Sequence, residues 1–335
     1  GACLAGFAGC LALAVQGDSL IDLTTSPTSV FRADDAYYGQ HPQQEEEPAF
    51  HIAVYDMDLA LGRELRAAVT MDLEGPTLAA YPFTLYHGYQ VTRVTDENGA
   101  ALPFTREGDY LTVTPAGPLS SLTVEYAGSS PMFYSGSQGT CLPGCFPYYP
   151  WAGYRKIFYG QPGDETRLLA FIPRTDLPES EFAVKVTGGK NLQASLPETG
   201  GAYRGRANGF SLMGGLLEAR ELGPYRLVTS PLAPPGYQAT KEWLDQLQTA
   251  VTQEEERQGL SPVIQLSDYV LFQDSETLLN RAGYGLALVF SDHMFLRFGW
   301  DADSLAEEIV SQYYGPANLS GEAELAELER QAIGQ

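Results

Sequence analysis

A β-rich chain with an α/β section toward its carboxy end is what the sequence predicts, on three observations. From Phe50 onward, short apolar runs alternate with polar residues at a period of two and are separated by turn residues, the pattern of an antiparallel sandwich. Three prolines between Pro231 and Gly236 mark a boundary. Beyond it the period becomes helical, with Trp243, Leu244, Leu247, Ala250 and Val251 on one stripe, and strand-like runs follow.

Taken in order, residues 1–17 open with Gly1 to Val15, which hold no charged side chain. A helix of that length covers ~22 Å of a ~30 Å hydrocarbon core. The reading is the tail of a transmembrane helix, with a signal-peptide remnant as the alternative. Residues 18–49 are polar, rich in Thr, Ser, Gln and Glu, and read as a juxtamembrane linker. The first basic residue is Arg32, and cytoplasmic flanks normally carry Lys or Arg, so the chain beyond Asp18 is expected outside the membrane.

Residues 50–230 form the predicted sandwich. Leu65 to Leu73, Tyr81 to Val94 and Tyr110 to Thr114 read as strands, and Asp96-Glu97-Asn98-Gly99 is a hairpin turn with Asn-Gly where positive φ is wanted. Leu122, Val124 and Tyr126 alternate with Ser121, Thr123 and Glu125, which puts one face in the core. Cys145 to Arg155 is dense in aromatics and proline, and packing is the favoured reading over a binding surface. Phe182 to Val186 and Tyr225 to Thr229 are further strands. Residues 237–335 begin with a helix that Thr240 can cap, then strands at Val263 to Phe272 and Gly285 to Phe290.

Composition restricts function. With 20 basic and 42 acidic residues, the net charge of -22 repels phosphate backbones and anionic lipid, so nucleic acid is not an expected partner. Apart from Glu45-Glu46-Glu47 and Glu254-Glu255-Glu256 the acidic residues are scattered, and they read as solvated faces. Of four cysteines, Cys3 and Cys10 lie in the apolar segment. Cys141 and Cys145 flank Leu-Pro-Gly, a turn that leaves two alternatives open: a small disulfide in an oxidising compartment, or two unpaired buried thiols. No phosphate loop and no G-x-S-x-G elbow is present, and His41, His51, His87 and His293 do not stand at metal-ligand spacing.

One stretch carries chemical information: Leu305-Ala306-Glu307-Glu308-Ile309-Val310-Ser311-Gln312-Tyr313-Tyr314-Gly315. Zinc peptidases place H-E-x-x-H on a helix, because His at i and i+4 share a face and the Glu acts as base on a metal-bound water. Here the glutamate survives as Glu308, and the ligand slots read Glu307 and Ser311. Ser304 to Glu307 has the form of a capping box, and Leu305, Ile309 and Tyr313 make an apolar face.

The stretch resembles the motif helix of the M1 family of zinc aminopeptidases, through Leu305, Ala306, Glu308, Ile309, Gln312 and Gly315. In that family a third ligand, a Glu, follows the second His after eighteen residues, a position that is Arg330 here. The family's G-x-M-E-N substrate loop has no counterpart, since Asn280 to Gly285 carries no acidic residue. The resemblance implies a saddle-like amino-terminal β-sandwich followed by the opening section of a thermolysin-like α+β domain. It also implies a degenerate metal site, with Glu308 as a vestigial base and Glu307, Ser311 and Arg330 in the ligand slots. The expected function is a non-catalytic extracytoplasmic module without a cofactor. It would be anchored at a bacterial cell surface through its amino-terminal segment and similar to domains fused to ABC-2 type transporter permeases. Its partners would be a peptide or protein and a separate ATPase subunit. The alternative is an active zinc aminopeptidase, which requires an H-E-x-x-H that the chain lacks.

Overall fold

A computed structural model describes residues 37–136, 139–159, 170–233, 235–274 and 285–315. The expected membrane segment, Cys3, Cys10 and Arg330 lie outside them. The chain forms two compact units. The first runs to Leu169 and adds Ser180–Gly205 and Ser211–Gly215; the second comprises Ala170–Glu179, Arg206–Phe210 and the chain from Leu216.

In the first unit the strands include β1 (His51–Leu61), β2 (Leu65–Glu74), β3 (Tyr81–Thr84), β4 (Tyr89–Asp96), β5 (Phe104–Glu107), β6 (Tyr110–Val113) and β7 (Ser121–Gly128). They are followed by β8 (Thr140–Leu142), β9 (Trp151–Ala152), β10 (Ser180–Gly188), β11 (Leu192–Ala194), β12 (Glu198–Thr199), β13 (Ala202–Ala207) and β14 (Leu212–Gly214). A seven-stranded sheet has the order β12-β13-β10-β1-β2-β7-β4, a four-stranded sheet β5-β6-β3-β9, and a three-stranded sheet β11-β14-β8. The alternation read from sequence is visible in burial: Met57, Leu59, Val69, Met71, Leu122 and Val124 are all at or below 1% exposure.

Three expectations are corrected. The main sheet is mixed, because β10 pairs in parallel with β1, Val54 opposite Glu181 through Leu61 opposite Gly188. A strand that returns after a long excursion is free of the antiparallel constraint a hairpin imposes. The single strand expected over Tyr81 to Val94 is two, since Leu85–Gly88 turns the chain and sends β3 and β4 into different sheets. At the Asp96–Gly99 turn only Gly99 has positive φ, 79°, and the Asp96 carboxylate accepts from the backbone N–H of Asn98 and Ala100 at 2.9 and 2.8 Å. A side-chain turn thus replaces the two-residue Asn-Gly turn.

The aromatic segment is packed inward. Phe146, Tyr148, Tyr149 and Trp151 are buried, the Tyr55 hydroxyl donates to Pro150 O at 3.0 Å, and the Tyr126 hydroxyl donates to Tyr148 O at 2.6 Å. Cys141 and Cys145 are both buried, and no disulfide joins them in this structure. Burial, reinforced by the neighbouring Cys141, pushes the Cys145 thiol well up, so it stays protonated.

Residues 37–48, read as the end of the linker, are fastened to the first unit. Gln43 Oε1 accepts from the N–H of Ile157 and Phe158 at 2.8 and 3.0 Å, Tyr110 Oη donates to Gln44 O at 3.0 Å, and Glu46 bridges Tyr154. Arg155, 4% exposed, holds the acidic run: its Nη1 and Nη2 donate to Glu47 at 2.7 and 2.9 Å, and Nη1 reaches Glu45 at 3.2 Å. Gly153 permits the approach, because a Cβ there would lie 2.7 Å from Glu46 O.

The second unit holds β15 (Glu218–Leu222), β16 (Tyr225–Thr229), α1 (Lys241–Arg257), β17 (Val270–Gln273), β18 (Ala287–Val289), β19 (His293–Leu296) and α2 (Ala302–Tyr314). Its sheet has the order β15-β16-β17-β19-β18, with β16 and β19 both parallel to β17. The sheet therefore starts before Pro231, where the boundary was expected, because Tyr225–Thr229 finds its partner in Val270–Gln273. Thr240 caps α1 as expected, accepting from Trp243 N at 3.1 Å. Leu244, Leu247 and Val251 of α1 and Leu305, Ile309 and Val310 of α2 share one core with Leu271, Met294 and Leu296 of the sheet.

Arg155→Ala should release residues 37–48. Cleavage by a Glu-specific protease within Glu45–Glu47 is expected to accelerate roughly tenfold, the equivalent of losing one pinned contact in a local opening equilibrium. An unchanged rate would mean that the guanidinium does not hold the segment.

Candidate functional site

Helix α2 carries the motif stretch, and its start is fixed one turn earlier than the sequence suggested. The N-cap is Asp301, whose carboxylate accepts from the backbone N–H of Ser304 at 2.9 Å and its hydroxyl at 2.8 Å, so Ser304 is inside the helix and does not cap it. Those hydrogen bonds, the backbone one foremost, lower the Asp301 pKa. The buried face is Leu305, Ala306, Ile309 and Val310, and Tyr313, expected on it, is 41% exposed.

Glu308 and Gln312, one turn apart, both face the outer edge of β18. Glu308 Oε2 accepts from Leu286 N at 2.6 Å, and its Oε1 accepts from Gln312 Nε2 at 3.0 Å. Gln312 Nε2 also donates to Ala287 O at 2.8 Å while its Oε1 accepts from Val289 N at 3.1 Å. The primary amide thus makes the donor and acceptor pair that a neighbouring strand would make. Gly285 (φ 36°) lies against the carboxylate so closely that a Cβ there would come within 1.8 Å of Glu308 Oε1. Burial raises the Glu308 pKa, and the N–H groups of Leu286 and Ala287, the charge of Arg297 and the Gln312 amide recover only part of the shift.

The ligand slots do not converge with Glu308. Glu307 and Ser311 are exposed, and Glu307 stands 3.9 Å from the Arg257 guanidinium, both side chains 66% exposed. A hydroxyl, an exposed carboxylate paired to a cation and a carboxylate already hydrogen-bonded to backbone do not form a zinc donor set. Among the described residues no three His, Cys, Asp or Glu come together as such a set. His293 is buried on β19, with Nδ1 2.6 Å from Asp292 Oδ1 and its ring stacked on Phe290 at 4.1 Å.

Sequence reasoning missed Glu255, and it named Gln312 only as a letter of the resemblance. Glu255, in the acidic run Glu254–Glu256 to which sequence gave no separate role, is fully buried, and its Oε1 accepts from Val263 N, Ile264 N and the Tyr314 hydroxyl at 2.9, 3.3 and 2.7 Å. Its position four residues after Val251, on the apolar stripe of α1, was the available signal. For Gln312 the signal was its spacing of four from Glu308, but nothing local names β18 as the target.

No family model matches the chain, and no curated protein matches it. Solved structures do. The M1 zinc metallopeptidase from Deinococcus radiodurans aligns over 82% of this chain with TM-score 0.52 and 16% identity, and the chain spans 66% of that enzyme, just under two thirds of its length. A two-domain M1 zinc metallopeptidase mutant bound to L-tryptophan aligns over 83% of this chain and 68% of its own, with TM-score 0.49 and 18% identity. Native leukotriene A4 hydrolase from Saccharomyces cerevisiae aligns over 74% of this chain and 40% of its own, with TM-score 0.47 and 12% identity. The first of these likenesses establishes the fold: β-rich, with few helices, of the M1 metallopeptidase kind.

The strained ionisation of Glu308 has a pH signature. A carboxyl whose folded pKa lies above its unfolded value (about 4.3) binds protons more tightly in the native state, so its contribution to stability falls as pH rises from the unfolded toward the folded pKa. Glu308→Gln removes that penalty. The stability of the wild type relative to the variant should therefore decline as pH rises above about 4.3, measured by thermal unfolding at a series of pH values. A difference independent of pH would contradict the raised pKa. Glu308→Ala, which strands the Leu286 and Ala287 donors, is expected to cost about 1–3 kcal/mol more than Glu308→Gln.

Proposed function

We propose that this chain is a non-hydrolytic M1-like module of a membrane protein, held outside the cell and used for binding. The observation that carries the reading is the occupation of Glu308. A general base must present a free oxygen to a water, and here one carboxylate oxygen faces the Leu286 N–H and the other the Gln312 amide, with the Gly285 backbone packed against it. The residue that would do chemistry in an M1 peptidase is instead part of the packing between α2 and β18. The ligand slots support the same reading, since Glu307 is turned toward Arg257 and Ser311 offers only a hydroxyl.

The finer placement is supported by sequence: the charge-free run from Gly1 to Val15, the late first basic residue Arg32, and the resemblance to M1-like domains of ABC-2 type permeases. In that setting the chain serves a transporter whose ATPase is a separate subunit, and its ligand is a peptide or protein. Among the described residues no helix is long and apolar enough to cross a membrane.

Elemental analysis of the purified protein is expected to find no stoichiometric zinc, and aminoacyl substrates should not be hydrolysed. Glu307→His with Ser311→His rebuilds the helix pair, and tight zinc binding is expected only when Arg330→Glu is added. One equivalent of zinc in the unmodified protein, lost on mutating Glu307 or Glu308, would favour the zinc aminopeptidase alternative. Location has its own test: protease added to intact cells should cut within residues 18–36, and protection until lysis would reverse the topology.

A further inference from the structure

In the second unit a groove of about 690 Å³ runs between α1 and the first turn of α2. Its two tryptophans are tied together, as Trp243 Nε1 donates to Trp300 O at 2.8 Å, and Trp300 is 44% exposed. Around them stand Glu242 and Asp245 on one wall and Asp301 and Asp303 on the other, with no basic residue in the lining. Lys241 neutralises Asp245 at 2.6 Å. Glu242 and Asp303 have no ion-pair partner among the described residues. Acidity alone would not set this groove apart from the surface of a chain with a net charge of -22; the exposed indole of Trp300 in the same lining does. Trp300 already takes a cation on its ring, with Arg297 Cζ 5.8 Å from the centroid. A groove lined by an exposed indole and carboxylates favours a guanidinium or ammonium group, through the ring quadrupole and through direct ion pairing.

We propose that this groove docks a basic polypeptide segment, with an Arg or Lys side chain laid on Trp300 between Glu242 and Asp303. The groove suits a chain better than a single small cation. It follows α1 from Glu242 to Gln253, a rise of about 16 Å, and Gln246 and Gln253 offer side-chain amides that can both donate to and accept from a peptide backbone. The docking is independent of whether Glu308 is catalytically dead, and it involves no residue of the motif face.

The test uses the full chain and a fluorescein-labelled, end-capped decapeptide of alternating arginine and serine, followed by anisotropy. Saturable binding is expected, accompanied by a change in intrinsic tryptophan emission, since the third tryptophan, Trp151, is buried in the other unit. Trp300→Ala and the pair Glu242→Gln/Asp303→Asn should each weaken binding about tenfold. The control pair Glu97→Gln/Glu107→Gln, which removes the same charge from exposed positions in the first unit, should leave it unchanged. Unfolding transitions within a few degrees of wild type would exclude misfolding as the cause of weakening. No saturable binding overturns the proposal, as does equal weakening by the control pair, which would reduce the interaction to attraction by net charge, or full binding by Trp300→Ala.

Discussion

A strand at the edge of a sheet presents backbone groups that must be paired or hydrated, and β18 is such an edge. On its outer side α2 takes the place of a neighbouring strand: Gln312 exchanges two hydrogen bonds with Ala287 and Val289, and Glu308 takes the Leu286 N–H. That substitution fixes the rotation of α2 about its axis. With Glu308 and Gln312 directed at β18, Leu305, Ile309 and Val310 enter the core with α1, and Glu307 and Ser311 are left facing solvent. Glu308 and Gln312 are letters of the resemblance to the M1 motif, and both are hydrogen-bonded to the chain at β18.

Burial makes this arrangement costly as well as specific. The Glu308 carboxylate is desolvated and its pKa rises, and the hydrogen bonds that hold it compensate only in part. Gly285 is required by the close approach, since any side chain there would displace the carboxylate. Each carboxylate oxygen takes a hydrogen bond from the protein, Oε2 from Leu286 N–H and Oε1 from the Gln312 amide.

The first unit depends on a comparable device. Arg155 is buried, and the acidic run Glu45–Glu47 supplies its counter-charge, which turns a stretch that reads as a solvated linker into a fastened segment. Glu255 repeats the lesson in the second unit, a carboxylate from a charged run that satisfies the backbone of residues eight and nine positions onward. Buried charges of this kind cannot be recognised by composition, because their cost is offset only by partners brought in through folding.

Local periodicity determined much of the chain by itself. The stripe of α1 with its Thr240 cap, the alternation in β7 and the apolar Leu305 and Ile309 of α2 are all set by neighbours within a few residues. Tertiary structure decided what depends on distant partners: that β10 lies parallel to β1, that Tyr225–Thr229 belongs with Val270–Gln273, and that Glu308 meets a backbone N–H 22 residues away. Strand pairing and side-chain capping select among many chemically equivalent backbone groups, so their partners are fixed by the packing of the whole unit and leave no periodic trace in the sequence.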